Sequence, residues 1–548
     1  MPTALVWFKR DLRTPDHAAL RAAQQFAAGG PVRCLYVIEP GLWQQADASA
    51  QHWGFVRECL ADLDAALRDL GGELWVMQGD VTAVLERLWQ AEPFHALFSH
   101  EETGNAYTYA RDVAVGRWCR ACGVPWQELP QFGVVRRLQD RDLWHPHWQA
   151  FMNRPLLGTR PFPVDTASST HALRHRLGHL PATQWPSAHQ LGLVPHEPPD
   201  RQRGGRWNAL RVLDDFMLDR CGQYRGGISS PLSAPTACSR LSPYLAHGCL
   251  SIREVVQATQ ARLSGLADEP PLPWVARQRA GLTAFMSRLH WHCHFIQKLE
   301  SEPELEWRNL HRGYDQLREP EFNALHFEAL VQGRTGWPLV DACVAMLRQT
   351  GWLNFRMRAM LVSVAAYPLW LHWRPVGEWL ARQFLDYEPG IHWSQLQMQA
   401  GTTGINTTRV YNPIKQAQDH DPQGHFVRRW LPVMRQVPPE WLLEPWRMPA
   451  EVQARCGVHV GVDVPVPLVD LAAATRVAKA KVHALRARPD IKAAVGEIVQ
   501  KHGSRMKREG ARARPSTRPS ARPSPSPARP EPDRNTPGQC SPQLNLDF

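Results

Sequence analysis

Residues 335–360 read TGWPLVDACVAMLRQTGWLNFRMRAM, residues 377–406 read GEWLARQFLDYEPGIHWSQLQMQAGTTGIN, and residues 409–413 read RVYNP. The apolar residues of this block recur at helical spacing. Charges interrupt them: Arg356, Arg358, Asp386 and Glu388 stand beside Ala, Leu, Val and Trp. Burying a charge in such company costs free energy unless the charge is paired or faces a polar ligand. The block therefore predicts a helical core with something polar inside it.

Outward from the block, long apolar-periodic stretches from 208 to 486, including 275–299 and 340–364, predict a mainly α-helical second part. Upstream, short β-rich runs at 4–8, 32–37, 74–77 and 96–99 alternate with helical stretches such as 51–70 and 107–122. That alternation predicts an α/β domain with a doubly wound parallel sheet. The first run is followed by KRDLR rather than a GxGxxG turn, so the usual dinucleotide-phosphate cradle is missing and a nicotinamide dehydrogenase is disfavoured. Residues 137–201 turn His-, Pro- and Gly-rich and read as a surface connector. The expected organisation is an α/β domain over 1–136, a connector over 137–200, a large all-α domain over 201–486 and a basic C-terminal extension over 487–548. A short helix at 491–500 precedes a tail whose Pro, Ser and Arg, with few large apolar residues, do not repay the entropy of ordering; disorder is expected from about 507.

Composition agrees with two cores. The chain has 548 residues, 43% of them hydrophobic, and 23 Trp, a load that suits stacking on planar ligands or bases as well as large helical cores. A formal charge of +11, part of it from the tail, favours a polyanionic partner. Eleven scattered cysteines and a start, MPTALVWFKRDLR, without a long apolar region point to a reducing, cytoplasmic setting. Cys119 and Cys122 form a CxxC without a second pair and read as structural thiols. The most apolar stretch, 359–373, is interrupted by Ser363, Tyr367, Pro368 and His372 and falls short of the roughly 18 residues of a membrane span. His290 and His294 are four apart, a spacing that can hold a metal, but no Asp or Glu completes the set and hydrogen-bonded histidines are the reading here.

Taken in order, WFKRDLR (7–13), SRLSPYLAHGCLSIRE (239–254), the opening block, DPQGHFVRRWLP (421–432) and EPW (444–446) resemble the photolyase/cryptochrome family. The resemblance implies an N-terminal domain able to carry a second, antenna chromophore and a helical domain that binds FAD in a folded form. It implies a monomeric blue-light flavoprotein that binds UV-damaged DNA, either a deoxyribodipyrimidine photolyase-type lyase or a cryptochrome-like photoreceptor without repair. Tyr224 and Ser239, Arg240, Leu241 and Ser242 fall on the motif that holds the FAD phosphates, and hydroxyls with backbone N–H groups near a helix start suit an anion. Trp352, Arg356 and Glu378 fall on further motif positions. Arg358 and Asp386 match the family's ion pair beside the isoalloxazine, Glu388 stands for an acidic group on the flavin edge, and His392 occupies the position facing N5.

The departures carry as much information. Family members have Asn, Asp or Cys where this chain has His392, and an imidazole titrating near neutrality predicts pH-sensitive flavin chemistry. Arg288 replaces an acidic residue expected to contact a pyrimidine dimer and offers no acceptor to a base, whereas Trp291 keeps a stacking aromatic. Asn354-Phe355 replaces His-Asn, and Met398 replaces a second cavity Trp. In the photoreduction chain Trp373 matches the middle member, Leu396 falls at the flavin-proximal position, and the distal position falls near Pro320; Trp337, Trp370, Trp379 and Trp393 are the candidates for another route. The last six residues, QLNLDF, from Gln543 to the terminal Phe548, resemble the peptide by which bacterial repair and replication proteins grip the sliding clamp, with Leu and an aromatic for successive apolar pockets.

Overall fold

A computed structural model describes residues 1–162, 174, 176–405 and 409–503. The tail, with the clamp-like segment that starts at Gln543, lies outside the described residues.

Five strands, β1 (Ala4–Phe8), β2 (Val32–Ile38), β3 (Leu74–Gln78), β4 (Ala96–His100) and β5 (Trp126–Leu129), form one parallel sheet in the order β3-β2-β1-β4-β5. Side chains alternate along β1. Ala4, Val6 and Phe8 pack with α1 (Ala18–Ala27) and α2 (Ala50–Asp69), while Leu5 and Trp7 pack with α3 (Val81–Ala91) and α4 (Ala106–Ala121). Both faces are covered, as a parallel sheet requires, so the inner strands read as continuous apolar runs. The four predicted strands are present. The fifth, WQEL, is a half-polar edge strand whose sequence lacks that signal.

The remainder is largely helical. Its main elements are α5 (Pro273–Ser301), α6 (Pro338–Thr350), α7 (Phe355–Ala366), α8 (Trp373–Gln383), α9 (Pro389–Ala400) and α10 (Pro489–His502). The stretch 340–364 is two helices rather than one: Gly351, with φ 65°, ends α6 in the left-handed conformation and the chain restarts at Phe355. The connector also carries a helix, Trp144–Met152, with Trp144, Trp148, Phe151 and Met152 buried. No described helix is long and apolar enough to cross a membrane.

The turn after β1 joins the sheet to the helical part. Arg10 Nε donates to Ala246 O (2.9 Å) and its Nη2 reaches Glu388 Oε2 (2.7 Å) and Tyr387 O (3.3 Å). Arg13 Nη1 donates to Gly248 O (3.0 Å), and Asp16 accepts from Ser251 Oγ (2.5 Å) and pairs with Arg253. Gly248 has φ 70°, and a Cβ there would lie 2.3 Å from Arg10 O. Backbone strain and this contact act together. Gly248→Ala is expected to lose at least about 2 kcal/mol of stability in denaturant unfolding, whereas Gly265→Ala, which meets nothing within 4 Å, should leave the midpoint unchanged or raised.

Candidate functional site

The charges of the opening block are paired. Arg358, in the first turn of α7, donates from Nη2 to Asp386 Oδ2 (2.9 Å) and from Nε to Leu353 O (2.6 Å), with its guanidinium 4.1 Å from the Phe384 ring. Burial pushes the Asp386 carboxyl up, but the charge and hydrogen bond of Arg358 outweigh it and hold Asp386 below its ordinary range. The pair borders a cavity of about 90 Å³ whose wall also includes Phe355, Tyr387, His392 and Leu396. Gln395 Oε1, on a wall residue, and Asn354 Oδ1, on the residue before Phe355, are buried without a hydrogen-bond partner among the described residues. Buried polar atoms are nearly always satisfied, so these atoms fit a site that takes a polar and aromatic ligand.

The SRLS segment lies close by. Arg240 adopts φ 63° and stacks 3.9 Å from the Trp352 ring; its Nε donates to Gln202 Oε1 (3.2 Å), and Gln202 Nε2 donates to Arg240 O (2.9 Å). Burial lowers the Arg240 guanidinium to about 10, while Asp386 raises it and Arg358 lowers it, which places all three charges in one field. Leu241 N donates to Ser239 Oγ (3.4 Å), and Ser242 opens a short helix, Ser242–Ala246. Tyr224 is buried against Phe216 and Phe285, and its hydroxyl and the Arg288 guanidinium act on each other electrostatically.

Other predicted residues fall elsewhere. Trp291 stacks on Phe295, with centroids 5.4 Å apart, and is not part of the cavity wall. Glu378 pairs with Arg374 along α8. Trp373 is buried, donates to Asn309 Oδ1 (2.8 Å) and lies 5.8 Å from Trp393, which in turn lies 4.9 Å from His392. His290 is hydrogen-bonded to His145 (3.1 Å) and His294 to Arg141. Cys119 is buried, and burial pushes its thiol up to about 12.

Two expectations change. Glu388 reaches Arg10 of the α/β domain, so it ties the domains together as well as standing at the cavity. His392 Nε2 lies 2.9 Å from Gly377 O, a partner that only accepts, so Nε2 carries the proton. Burial pushes this imidazole down to about 3, against the smaller opposing effect of that hydrogen bond. It is neutral at physiological pH, and the expected titration near neutrality is lost. Sequence reasoning assigned no role to Arg10 or Tyr387, although both stand inside quoted motifs, WFKRDLR and LDYEPG.

Comparison with known proteins agrees with the fold. The family described as DNA photolyase matches residues 4–136, and the FAD binding domain of DNA photolyase matches residues 285–484. The chain is 28% identical over 504 residues to a Cryptochrome DASH of Gloeobacter violaceus, covering 86% of this chain and 93% of that protein. It is equally 28% identical over 487 residues to a deoxyribodipyrimidine photo-lyase of Agrobacterium fabrum, covering 85% and 94%. The crystal structure of a bacterial class III photolyase from Agrobacterium tumefaciens superimposes with a TM-score of 0.71 at 26% identity, covering 89% of this chain and 98% of that one. This chain belongs to the photolyase/cryptochrome family. Its relatives include both photolyases and cryptochromes.

The neutral His392 has a signed consequence. Its folded value lies below the ordinary 6.5, so its contribution to stability is complete above pH 6.5 and is lost as pH falls toward 3. His392→Asn should flatten that part of the acid limb by roughly 3 kcal/mol at pH 4, read as the difference between the two proteins' unfolding free energies from pH 7 to 4.

Proposed function

We propose that this chain is an FAD-dependent blue-light flavoprotein that binds UV-damaged DNA and splits pyrimidine lesions by electron transfer from reduced flavin. The observation that carries the reading is the Arg358–Asp386 pair on a cavity edged by unsatisfied buried polar atoms, within a match to a photolyase FAD-binding domain. Bound FAD supplies the light absorption and the electron. The chain's residues hold and tune it. Arg240, Ser239 and Ser242 offer a cation and hydroxyls to the phosphates, with Leu241 buried behind them and Trp352 stacked on Arg240. Arg358 sets a fixed positive charge at the ring, Asp386 keeps that cation oriented, and neutral His392, its proton committed to Gly377 O, offers Nδ1 as an acceptor. Tyr224 and Arg288 close the α5 side, where Arg288 suits a DNA phosphate and Trp291 a flipped base. Trp373 and Trp393 form the aromatic pair leading away from His392.

A second cavity, of about 110 Å³, lies at the C-terminal ends of β1 and β2, walled by Trp7, Tyr36, Trp43 and His52. It is the place proposed for a second, antenna chromophore. The alternative role, a photoreceptor without repair, is favoured by Arg288 in place of an acidic residue.

Purified protein should retain FAD, and Asp386→Asn, which leaves Arg358 unpaired, should cut the retained flavin by about tenfold or more. Illumination with defined cyclobutane and (6-4) substrates should remove one lesion only under blue light. Flavin reduction without lesion loss would instead support the photoreceptor role.

A further inference from the structure

The flavin cavity has a feature that follows from its wall. Among the described residues lining it are Phe355, Phe384, Leu396 and His392, none readily oxidised by one electron, and a single Tyr, Tyr387, with no Trp. Tyr387 also lines the second cavity, with Asp47 and Asn105. Its ring therefore spans the partition between the two, 5.1 Å from the His392 ring on one side and 6.1 Å from the His52 ring on the other. At the far end its hydroxyl donates to Asp47 Oδ2 at 2.7 Å. Asp47 is buried and held in place by Asn105 Nδ2, 3.2 Å from Oδ1 and 3.0 Å from Oδ2, while Asn105 caps α4.

A phenol oxidised inside protein must release its proton, because a buried cation without a partner is costly. Tyr387 has a carboxylate in hydrogen-bond contact to take that proton and a ring on the flavin side to give the electron. We propose that Tyr387 is a proton-coupled electron donor to photoexcited FAD, with Asp47 the base that receives its proton. The inference rests on the flavoprotein reading above. In the step, the Tyr387 O–H bond breaks, one electron passes from the phenol to the photoexcited oxidised flavin, and the proton moves to Asp47 Oδ2. A neutral tyrosyl radical and a carboxylic acid result, and return of the electron restores both groups.

The test uses the flavin-loaded full chain, freeze-quenched after a blue flash and examined by electron paramagnetic resonance, beside Tyr387→Phe and Asp47→Asn carrying the same flavin content. In the flavin-free chain, ¹³C-tyrosine NMR gives an independent readout, since Asp47→Asn should move the resonance that Tyr387→Phe removes. The expected result is a tyrosyl signal in the parent, its loss in Tyr387→Phe, and a yield lower by about tenfold in Asp47→Asn, which keeps a hydrogen-bond acceptor but not the base. Flavin reduction accompanied only by tryptophan radicals, or a tyrosyl signal that survives Tyr387→Phe, overturns this proposal while leaving the flavoprotein reading intact. Absence of bound flavin from the parent overturns both.

Discussion

One ion pair, the half-buried Arg10 with the buried Glu388, joins the sheet to the helical part beside the cavity that Arg358 and Asp386 border. Arg10 leaves the end of β1 and reaches both the SRLS helix, through Ala246 O, and the segment from Asp386 to Pro389, through Tyr387 O and Glu388. Removing Arg10 would leave the buried Glu388 carboxylate without its cation, the more costly half of the pair to break. The arginine is aimed by its neighbour. Asp11 is fully buried and accepts from Lys9 N (2.7 Å) and His100 Nδ1 (2.7 Å), with His17 Nε2 at 2.9 Å. Since His17 Nδ1 accepts from Leu20 N, Nε2 carries the proton and stands beside the Asp11 carboxylate, which is fixed by its bonds from Lys9 N and His100.

From this clamp follows the partition between two cavities. Four consecutive residues divide their duties: Asp386 holds Arg358, Tyr387 faces both cavities, Glu388 anchors to Arg10, and Pro389 starts α9. Two of the charged or titratable groups on the wall of the proposed flavin cavity, Asp386 and His392, do not titrate near neutral pH, while burial raises the carboxyl of a third, Glu388, against the opposing charge of Arg10. Asp386 is held below its ordinary range and His392 near 3. Electrostatic preorganisation of this kind requires no reorganisation when charge appears on a ligand.

How much was legible follows from where the partners lie in sequence. Strands β1 to β4, the edge strand β3 included, announce themselves as buried apolar runs, whereas the other edge strand, WQEL, keeps polar residues and does not. Arg358 and Asp386 stood out as charges in an apolar helical block, and their pairing spans only 28 positions. Arg10 lies 378 positions from Glu388 and Asp47 lies 340 from Tyr387. Nothing local marks either contact, so the domain clamp and the tyrosine–carboxylate pair emerge only from the fold. His392 failed for a different reason: an imidazole's ordinary pKa is a property of water, and burial replaced the water.

The role given to Arg10 is tested most directly by a double-mutant cycle of Arg10→Met and Glu388→Gln, measured as unfolding free energies at pH 7. The two changes together should cost less than the sum of the single changes, with a coupling of at least about 1.5 kcal/mol. Simple additivity would contradict the clamp and, with it, the shared wall on which the two cavities depend.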